Sequence, residues 1–329
     1  MTAEPLLELS GLTRHFKVGT GLTRRLLHAV DDVDLTVGAR EIVALVGESG
    51  SGKSTLARLV AQVHKPTRGE IRYAGRPLTA LRGRREKLAY RGAVPMVFQD
   101  PFASLNPAYR VAHGILRGLV LHRPELSAAE RRTEAERVVE AVGLTPAADV
   151  LSRYPYELSG GQRQRIGFAQ ALAHRPRLIL ADEPVSMLDV SIRIGLLNLM
   201  ADLREREGVS ILYITHDIAS ARYLSDRIAV MYGGHVVETA PTEEVLAHPR
   251  HPYTELLLSA VPDPRAALDI DAAAARTDPP RVIDPAPGCR FRARCPLAVD
   301  RCHQVTPRLQ PVGADHAAAC HVTAPGPDA

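Results

Sequence analysis

The chain reads as an α/β protein, and three patterns predict it. Glu41–Val46 (EIVALV) is a short, almost wholly apolar run ending at Gly47, as suits a strand covered on both faces, and a glycine-rich turn leads from it into an amphipathic helix over about Lys53–Val63. Two further runs, Leu178–Asp182 (LILAD) and Ile211–Thr215 (ILYIT), bracket a segment that repeats Ile192, Leu196, Leu199, Met200 and Leu203 at helical spacing. Before these, the first forty residues alternate in the manner of strands, at Leu6–Leu9, at Phe16–Val18 and around Val30, Val33, Leu35 and Val37.

The remaining elements follow from local signals. From about Asp100 to Tyr156 the chain is predicted mainly helical: Ser127-x-x-Glu130 is a capping box, and Gly143 stands just past the end of the charged helix behind it. Arg227–Tyr232, Gly233-Gly234 and His235–Glu238 predict a hairpin with a glycine turn. Val261–Gly288 is rich in Pro, Asp and Ala without periodicity and reads as a linker. No internal repeat is found.

A length of 329 residues suits one large domain with an appendage. The chain is 45% hydrophobic and 24% charged, the balance of a soluble globular protein. No apolar run approaches the roughly 18 to 20 residues of a membrane span, and Met1–Ser10 lacks the features of a secretory signal, so a cytosolic home is expected. A formal net charge of +4 is too small for a dedicated nucleic-acid binder. The cluster of Arg82, Arg84, Arg85, Lys87 and Arg91 reads first as a solvated face, with an anionic membrane surface or acidic partner as the minority reading.

Gly47-Glu48-Ser49-Gly50-Ser51-Gly52-Lys53-Ser54, followed by Thr55, fits G-x-x-x-x-G-K-[ST] and sits between a predicted strand and a predicted helix. Glycines let successive backbone N–H groups turn toward a phosphate, and the helix N-terminus adds the positive end of its dipole. Lys53 is placed to neutralise β- and γ-phosphate charge, and the Ser54 hydroxyl to ligate Mg. Downstream, Asp182 and Glu183 emerge at the C-terminal end of the LILAD strand, where α/β sheets place ligand chemistry. Asp182 suits a direct or water-mediated Mg contact, and Glu183 the polarising of an attacking water. A plain polar loop is the minority reading of two acids after a strand, and the phosphate motif upstream weighs further against it.

Leu158-Ser159-Gly160-Gly161-Gln162, followed by Arg163-Gln164-Arg165, resembles the signature of ABC ATPases, and with the phosphate motif the resemblance extends from about residue 6 to the end. It implies a P-loop ABC ATPase core with an N-terminal antiparallel β subdomain and a helical subdomain. Gln99 in VFQD resembles the Q-loop glutamine, which implies contact with Mg and water and a link to membrane partners. Ser186–Asp189 resembles the D-loop, and His216 in ITHD the switch histidine. Phe16 stands where an aromatic stacks on adenine, though tyrosine is commoner there and a strand-core phenylalanine fits equally. Ser159, Gly160, Gly161 and Gln162 open a predicted helix (about Gln162–Ala173) and offer unpaired N–H groups to an anion. In the family this second grip acts in trans, so each ATP is sandwiched between two chains. By the same resemblance Glu183 is the general base of an ATPase producing ADP and phosphate, and the subunit hydrolyses.

Two stretches, Phe98–Pro107 (FQDPFASLNP) and His251-Pro252-Tyr253-Thr254, resemble the dipeptide/oligopeptide permease branch and its F-type ATPases with a C-terminal extension. This implies domains at 1–250 (cassette, helical subdomain about 100–165) and 251–329 (extension, linker about 261–288, cysteine module 289–322). It also implies import, a related D-type ATPase mate, two transmembrane permease subunits, an extracytoplasmic solute-binding protein and a peripheral place on the cytoplasmic face of the membrane. Val185-Ser186-Met187-Leu188-Asp189 departs from the commoner SALD form, and similar variants occur in members assigned to oligosaccharides, which keeps sugar import as the alternative.

All four cysteines fall in the tail, as Cys289-x5-Cys295-x6-Cys302-x17-Cys320. Structural zinc favours closer pairs, and four thiolates suit an iron–sulfur cluster equally well, with Arg290, Arg292 and Arg294 to offset its charge. The segment resembles the tail of dipeptide permease ATPases to which a 4Fe-4S cluster is assigned. That cluster is the expectation, with zinc, disulfides or free thiols as alternatives. His303, His316 and His321 are spare ligands.

Two other classes share the phosphate chemistry. Repair-type ABC ATPases insert long coiled coils between the phosphate loop and the signature, and the span from Lys53 to Ser159 is too short for them; translation-type members carry two cassettes, and one is found here. A purely regulatory ATP-binding module would not need Glu183 and His216.

Overall fold

The protein is described by a computed structural model over residues 4–19, 24–100, 105–260 and 282–324. Along the chain run β1 (Leu7–Val18), β2 (Arg25–Val37), β3 (Ile42–Val46), α1 (Lys53–Val60), β4 (Arg68–Tyr73), β5 (Arg76–Pro77), α2 (Gly83–Ala93) and β6 (Met96–Val97). Next come α3 (Val111–His122), α4 (Ala128–Ala141), α5 (Ala147–Ser152), α6 (Gly160–Leu172), β7 (Leu178–Asp182), α7 (Val190–Glu207) and β8 (Ser210–Thr215). The chain closes with α8 (Ile218–Leu224), β9 (Arg227–Tyr232), β10 (His235–Pro241), α9 (Thr242–Ala247), α10 (Pro252–Ser259), α11 (Asp300–Gln304), β11 (Gln310–Gly313) and β12 (His316–Ala318). These divide into two compact units.

The first unit is built mainly of Arg76–Ile214. Its strands β6, β7 and β8 are parallel, with Met96 opposite Leu180 and Leu178 opposite Ser210. Every residue of β7 and β8 is buried, which is why these segments read as unbroken apolar runs rather than as alternations. The helices α3, α4 and α5 of the predicted helical region pack on one another, and α6 packs on α3 and α4. The capping box at α4 forms as expected: Ser127 Oγ accepts from the Glu130 N–H at 3.3 Å and Glu130 Oε2 accepts from the Ser127 N–H at 2.7 Å. Gly143, with φ +73°, follows the helix end.

The second unit comprises Leu7–Thr36, Val43–Gly75 and Thr215–Ala329. Strands β2, β1 and β4 lie side by side, β1 antiparallel to β4. The sequence predicts a break between Leu9 and Phe16, but β1 is continuous there. Gly11, at φ +54°, takes up a register shift between Ser10 and Thr13, so the strand bulges instead of ending. A second set of strands runs β11, β12, β10, β9, β3, parallel between β9 and β3 and antiparallel elsewhere. The predicted hairpin is β9 and β10, turning at Gly233 (φ +53°) and Gly234 (φ +89°). Most of the expected linker, 261–281, lies outside the described residues, as do Pro101–Ser104 of the FQDPFASLNP stretch.

Among the described residues no helix is long and apolar enough to cross a membrane. In the second unit Tyr232, Tyr253 and Phe291 are almost wholly buried and pack together, with ring centroids 4.4 Å apart for Tyr232 and Tyr253, 5.2 Å for Tyr232 and Phe291, and 5.5 Å for Tyr253 and Phe291. They come from β9, α10 and the cysteine-bearing segment, so one aromatic cluster joins the tail to the strand layer.

Candidate functional site

Strand β3 ends at Val46 and the chain turns at once into the glycine loop. A methyl group at Gly47 would stand 2.1 Å from the Met231 carbonyl oxygen, and one at Gly52, whose φ is +108°, would stand 2.2 Å from the Ala29 carbonyl oxygen. Both positions therefore exclude a side chain. The loop is also tied to itself and to the β9–β10 turn, by Ser51 N–H to the Glu48 carbonyl at 3.2 Å and Gly234 N–H to the Ser51 carbonyl at 2.8 Å. Helix α1 starts directly behind, with Gly52 at its N-cap.

Lys53 is 4% exposed, and its ammonium donates to the Gly47 carbonyl at 2.6 Å, the Glu48 carbonyl at 2.8 Å and Ser51 Oγ at 3.4 Å. A buried ammonium needs such oxygens; an entering phosphate supplies stronger ones. Ser49 and Gly50 are exposed, and Ser54 and Thr55 are half-buried in the first turn of α1.

Glu48 is held at two points. Its backbone N–H donates to the Tyr253 hydroxyl oxygen at 2.9 Å. Its carboxylate takes both arms of the Arg294 guanidinium, Nη1 to Oε2 at 2.9 Å and Nη2 to Oε1 at 3.0 Å. Arg294 also lies over the Tyr232 and Phe291 rings, 5.8 and 5.7 Å from their centroids.

In the first unit, Asp182 closes β7 at 5% exposure. Glu183 follows at φ +47°, a strained backbone for a residue with a side chain, fixed by its N–H donating to the Ile214 carbonyl at 2.9 Å. Gln99 Nε2 donates to Glu183 Oε2 at 3.3 Å, so these two predicted site residues do meet. Ser159 caps α6, its Oγ accepting from the Gln162 N–H at 3.2 Å while Gln162 Oε1 accepts from the Ser159 N–H at 3.0 Å. Gly160 and Gly161 form the first turn, where a methyl group at Gly161 would meet Ile192 Cγ2 at 2.5 Å. Asp189 precedes α7 without a side-chain cap bond. Exposed Met187, Val190 and Ile194 flank it.

In the second unit, His216 is exposed just past β8, and Asp217 caps α8 by accepting from the Ala219 N–H at 3.0 Å. Phe16 is half-buried, with His64 edge-on at 5.2 Å and the Arg14 guanidinium 4.5 Å from its centroid. The Ser54 hydroxyl in the second unit, and the Gln99 amide oxygen and Asp182 carboxylate in the first, are each the kind of hard oxygen that Mg prefers.

The tail has its own attachments. Arg290 Nη2 donates to Asp31 Oδ2 at 2.6 Å, and Arg290 Nη1 also bonds the Gly233 carbonyl. Burial raises the Asp31 carboxyl, but the His28 hydrogen bond and the Arg290 charge outweigh it and bring it down to about 2. His15, His28 and Asp31 are, among the described residues, the one group of three ligand-bearing side chains with donor atoms within 4.8 Å of one another. Arg290 already holds that carboxylate. Cys289 donates its backbone N–H to the Cys302 carbonyl at 2.8 Å. Burial, with smaller contributions from the neighbouring cysteines, pushes the Cys289 thiol up to about 11.

Comparison with known proteins fits this layout. A family model described as "ABC transporter" matches residues 30–186, and one described as "Oligopeptide/dipeptide transporter, C-terminal region" matches 237–302. The chain is 44% identical over 329 residues to a probable peptide ABC transporter ATP-binding protein, y4tS, of Sinorhizobium fredii, covering 98% of this chain and 91% of that one. It is 42% identical over 320 residues to the putative oligopeptide transport ATP-binding protein YkfD of Bacillus subtilis, covering 97% of this chain and 95% of that one. Among solved structures, the dimeric, post-hydrolysis ATP-binding cassette MJ0796 bound to ADP and Pi is similar at a TM-score of 0.63 and 30% identity, over 72% of this chain and 98% of that chain.

The expected 4Fe-4S cluster on Cys289, Cys295, Cys302 and Cys320 is overturned. The matching family models describe a transporter domain and a transporter C-terminal region, neither an iron–sulfur family, and the relatives are named for peptide transport. The four cysteines form no disulfide, and the arginines assigned to cluster charge have other partners: Arg290 serves Asp31 and Gly233, Arg294 serves Glu48, and Arg292 bonds the Cys289 carbonyl at 2.9 Å. Nothing supports the zinc alternative either: among the described residues the cysteines do not form a group of three with donor atoms within 4.8 Å of one another. Sequence reasoning missed Tyr253 and Arg294 as partners of the loop; only the HPYT stretch singled out Tyr253, as a mark of kinship.

Proposed function

The chain belongs to the peptide ABC transporter ATP-binding proteins, and from that membership we propose that it is the ATP-hydrolysing subunit of a peptide or oligopeptide importer. The observation that carries this reading is the loop Gly47–Thr55, a cradle closed to side chains at Gly47 and Gly52 with a buried Lys53 ammonium across it.

Backbone N–H groups of the loop and the N-terminus of α1 receive the β- and γ-phosphates, and Lys53 exchanges its loop carbonyls for phosphate oxygens. Phe16 stacks on the adenine. Ser54, Gln99 and Asp182 are the residues that would hold Mg, which neutralises charge developing on the transferred phosphoryl group. Glu183 orients the attacking water and accepts its proton, with Gln99 donating to its far oxygen; His216 contacts the γ-phosphate.

Ser159, Gly160, Gly161 and Gln162 grip the nucleotide of a second ATPase subunit, with Asp189 at the junction. The exposed apolar side chains of Met187, Val190 and Ile194 beside Asp189 support this reading. Closure on ATP and reopening after hydrolysis then move two permease subunits at the cytoplasmic face of the membrane, fed by an extracytoplasmic solute-binding protein. The mate is a related D-type chain, this chain being of the F type. We assign residues 1–250 to the cassette and 251–329 to the extension.

The test is nucleotide binding and labelled-peptide uptake with Lys53→Ala. Loss of both is expected; normal uptake refutes the engine role.

A further inference from the structure

The extension reaches into the phosphate loop, and the contacts fall on one residue. Glu48 is the second residue of the loop and brings a negative charge into a cradle built for a polyanion. Left unpaired, that carboxylate would add negative potential at a loop that receives phosphates, and partial burial limits how far solvent screens it. Arg294, its side chain 7% exposed, takes both carboxylate oxygens in a two-pronged grip, a geometry that a flexible or weakly placed cation does not maintain. The backbone N–H of Glu48 donates to the hydroxyl oxygen of Tyr253, itself 0% exposed and packed on Tyr232 and Phe291. Glu48 is thereby fixed through backbone and side chain at once, in a loop whose glycines give it little stiffness of its own.

We infer that Arg294 and Tyr253 are positioning residues for the phosphate loop, through which the C-terminal extension sets ATP affinity: Arg294 neutralises and orients the Glu48 carboxylate, and Tyr253 anchors its backbone. The inference rests on the ATPase reading above. It gives the extension a role at the nucleotide site that needs no bound group in the tail. Neither residue touches ATP; both act through Glu48. Arg294 is held in turn by the segment around Phe291, so a partner that shifts the extension would loosen the loop and weaken ATP binding.

The experiment is a double-substitution cycle on the full chain, reading KM and kcat for ATP hydrolysis and ATP affinity by direct binding. Arg294→Met is expected to raise KM and Kd for ATP about fivefold with kcat within twofold. In the Glu48→Gln background the same substitution is expected to raise them less than twofold, because no unpaired carboxylate remains. Arg294→Lys, which keeps the charge but loses the two-pronged grip, is expected to fall between, and it is the fallback variant if Arg294→Met does not fold. Equal effects in both Glu48 backgrounds would make Arg294 a packing residue and overturn the inference, as would an unchanged KM. A parent chain that neither binds nor hydrolyses ATP would instead remove the ATPase reading, so the two failures are distinguishable.

Discussion

The carboxylate of Glu238, at 0% exposure, meets Nε2 of His316 at 2.8 Å between the adjacent strands β10 and β12. The same carboxylate accepts the Arg250 N–H at 2.7 Å and the His251 N–H at 2.9 Å. One buried acid thus satisfies two backbone donors and a side chain, and it fastens the last strands of the extension to the β9–β10 hairpin. Glu238→Ala would strand those donors away from water, at about 1 to 3 kcal/mol for each unsatisfied group. A loss of at least about 3 kcal/mol in denaturant unfolding is expected, with the segment after residue 282 becoming the first site of limited proteolysis. Glu238→Gln, which keeps one acceptor oxygen, should lose less.

Glu183 and Gln99 offer a separation of chemistry from binding. If Glu183 aligns and deprotonates the water, Glu183→Gln should lower kcat for ATP by about 10²-fold or more while Kd for ATP moves by less than threefold. Steady-state hydrolysis alongside equilibrium binding checks this. Comparable losses in both would place Glu183 in the binding scaffold instead.

The loop glycines differ in what confines them, and substitution should reveal it. Gly52 combines φ +108° with a carbonyl oxygen 2.2 Å from any added methyl group, whereas Gly50, at φ +79°, has nothing within 4 Å. Gly50→Ala should cost only the backbone strain, about 1 to 2 kcal/mol. Gly52→Ala must in addition displace main chain at Ala29, so thermal unfolding should show a markedly larger drop and ATP binding should be lost. Equal behaviour of the two variants would contradict the close approach at Ala29.

How far the sequence discloses this protein follows from how local each signal is. The glycine loop, the LILAD strand and the Ser159 helix start are legible because each is a contiguous stretch whose residue types answer a local geometric demand. The continuity of β1 is not, because Gly11 looks like punctuation until its bulge is paired against β4. The Glu48–Arg294 pair joins positions 246 apart, and the Glu48–Tyr253 bond positions 205 apart. No window on the sequence connects them. Basic residues interleaved with cysteines invite assignment to a charged cluster, whereas burial and geometry give them to Glu48 and Asp31.

Stability should also depend on pH through His251. This side chain is 2% exposed, its Nδ1 accepts the Tyr253 N–H at 3.1 Å at the start of α10, and burial brings its pKa down to about 4 from the usual 6.5. A folded-state value below the unfolded one means that the unfolded chain binds the extra proton first. The contribution of neutral His251 is therefore complete above pH 6.5 and is lost as pH falls toward 4, at up to about 1.4 kcal/mol per pH unit. His174, also brought down to about 4 by burial, adds a slope of the same sign. His251→Asn keeps an acceptor suited to a helix N-cap but does not titrate. The fall in Tm between pH 7.5 and 5.5, measured by differential scanning fluorimetry, should be smaller in that variant than in the parent, though not zero while His174 remains. An undiminished fall would assign the acid sensitivity to other groups and leave His251 as a packing residue under Tyr253.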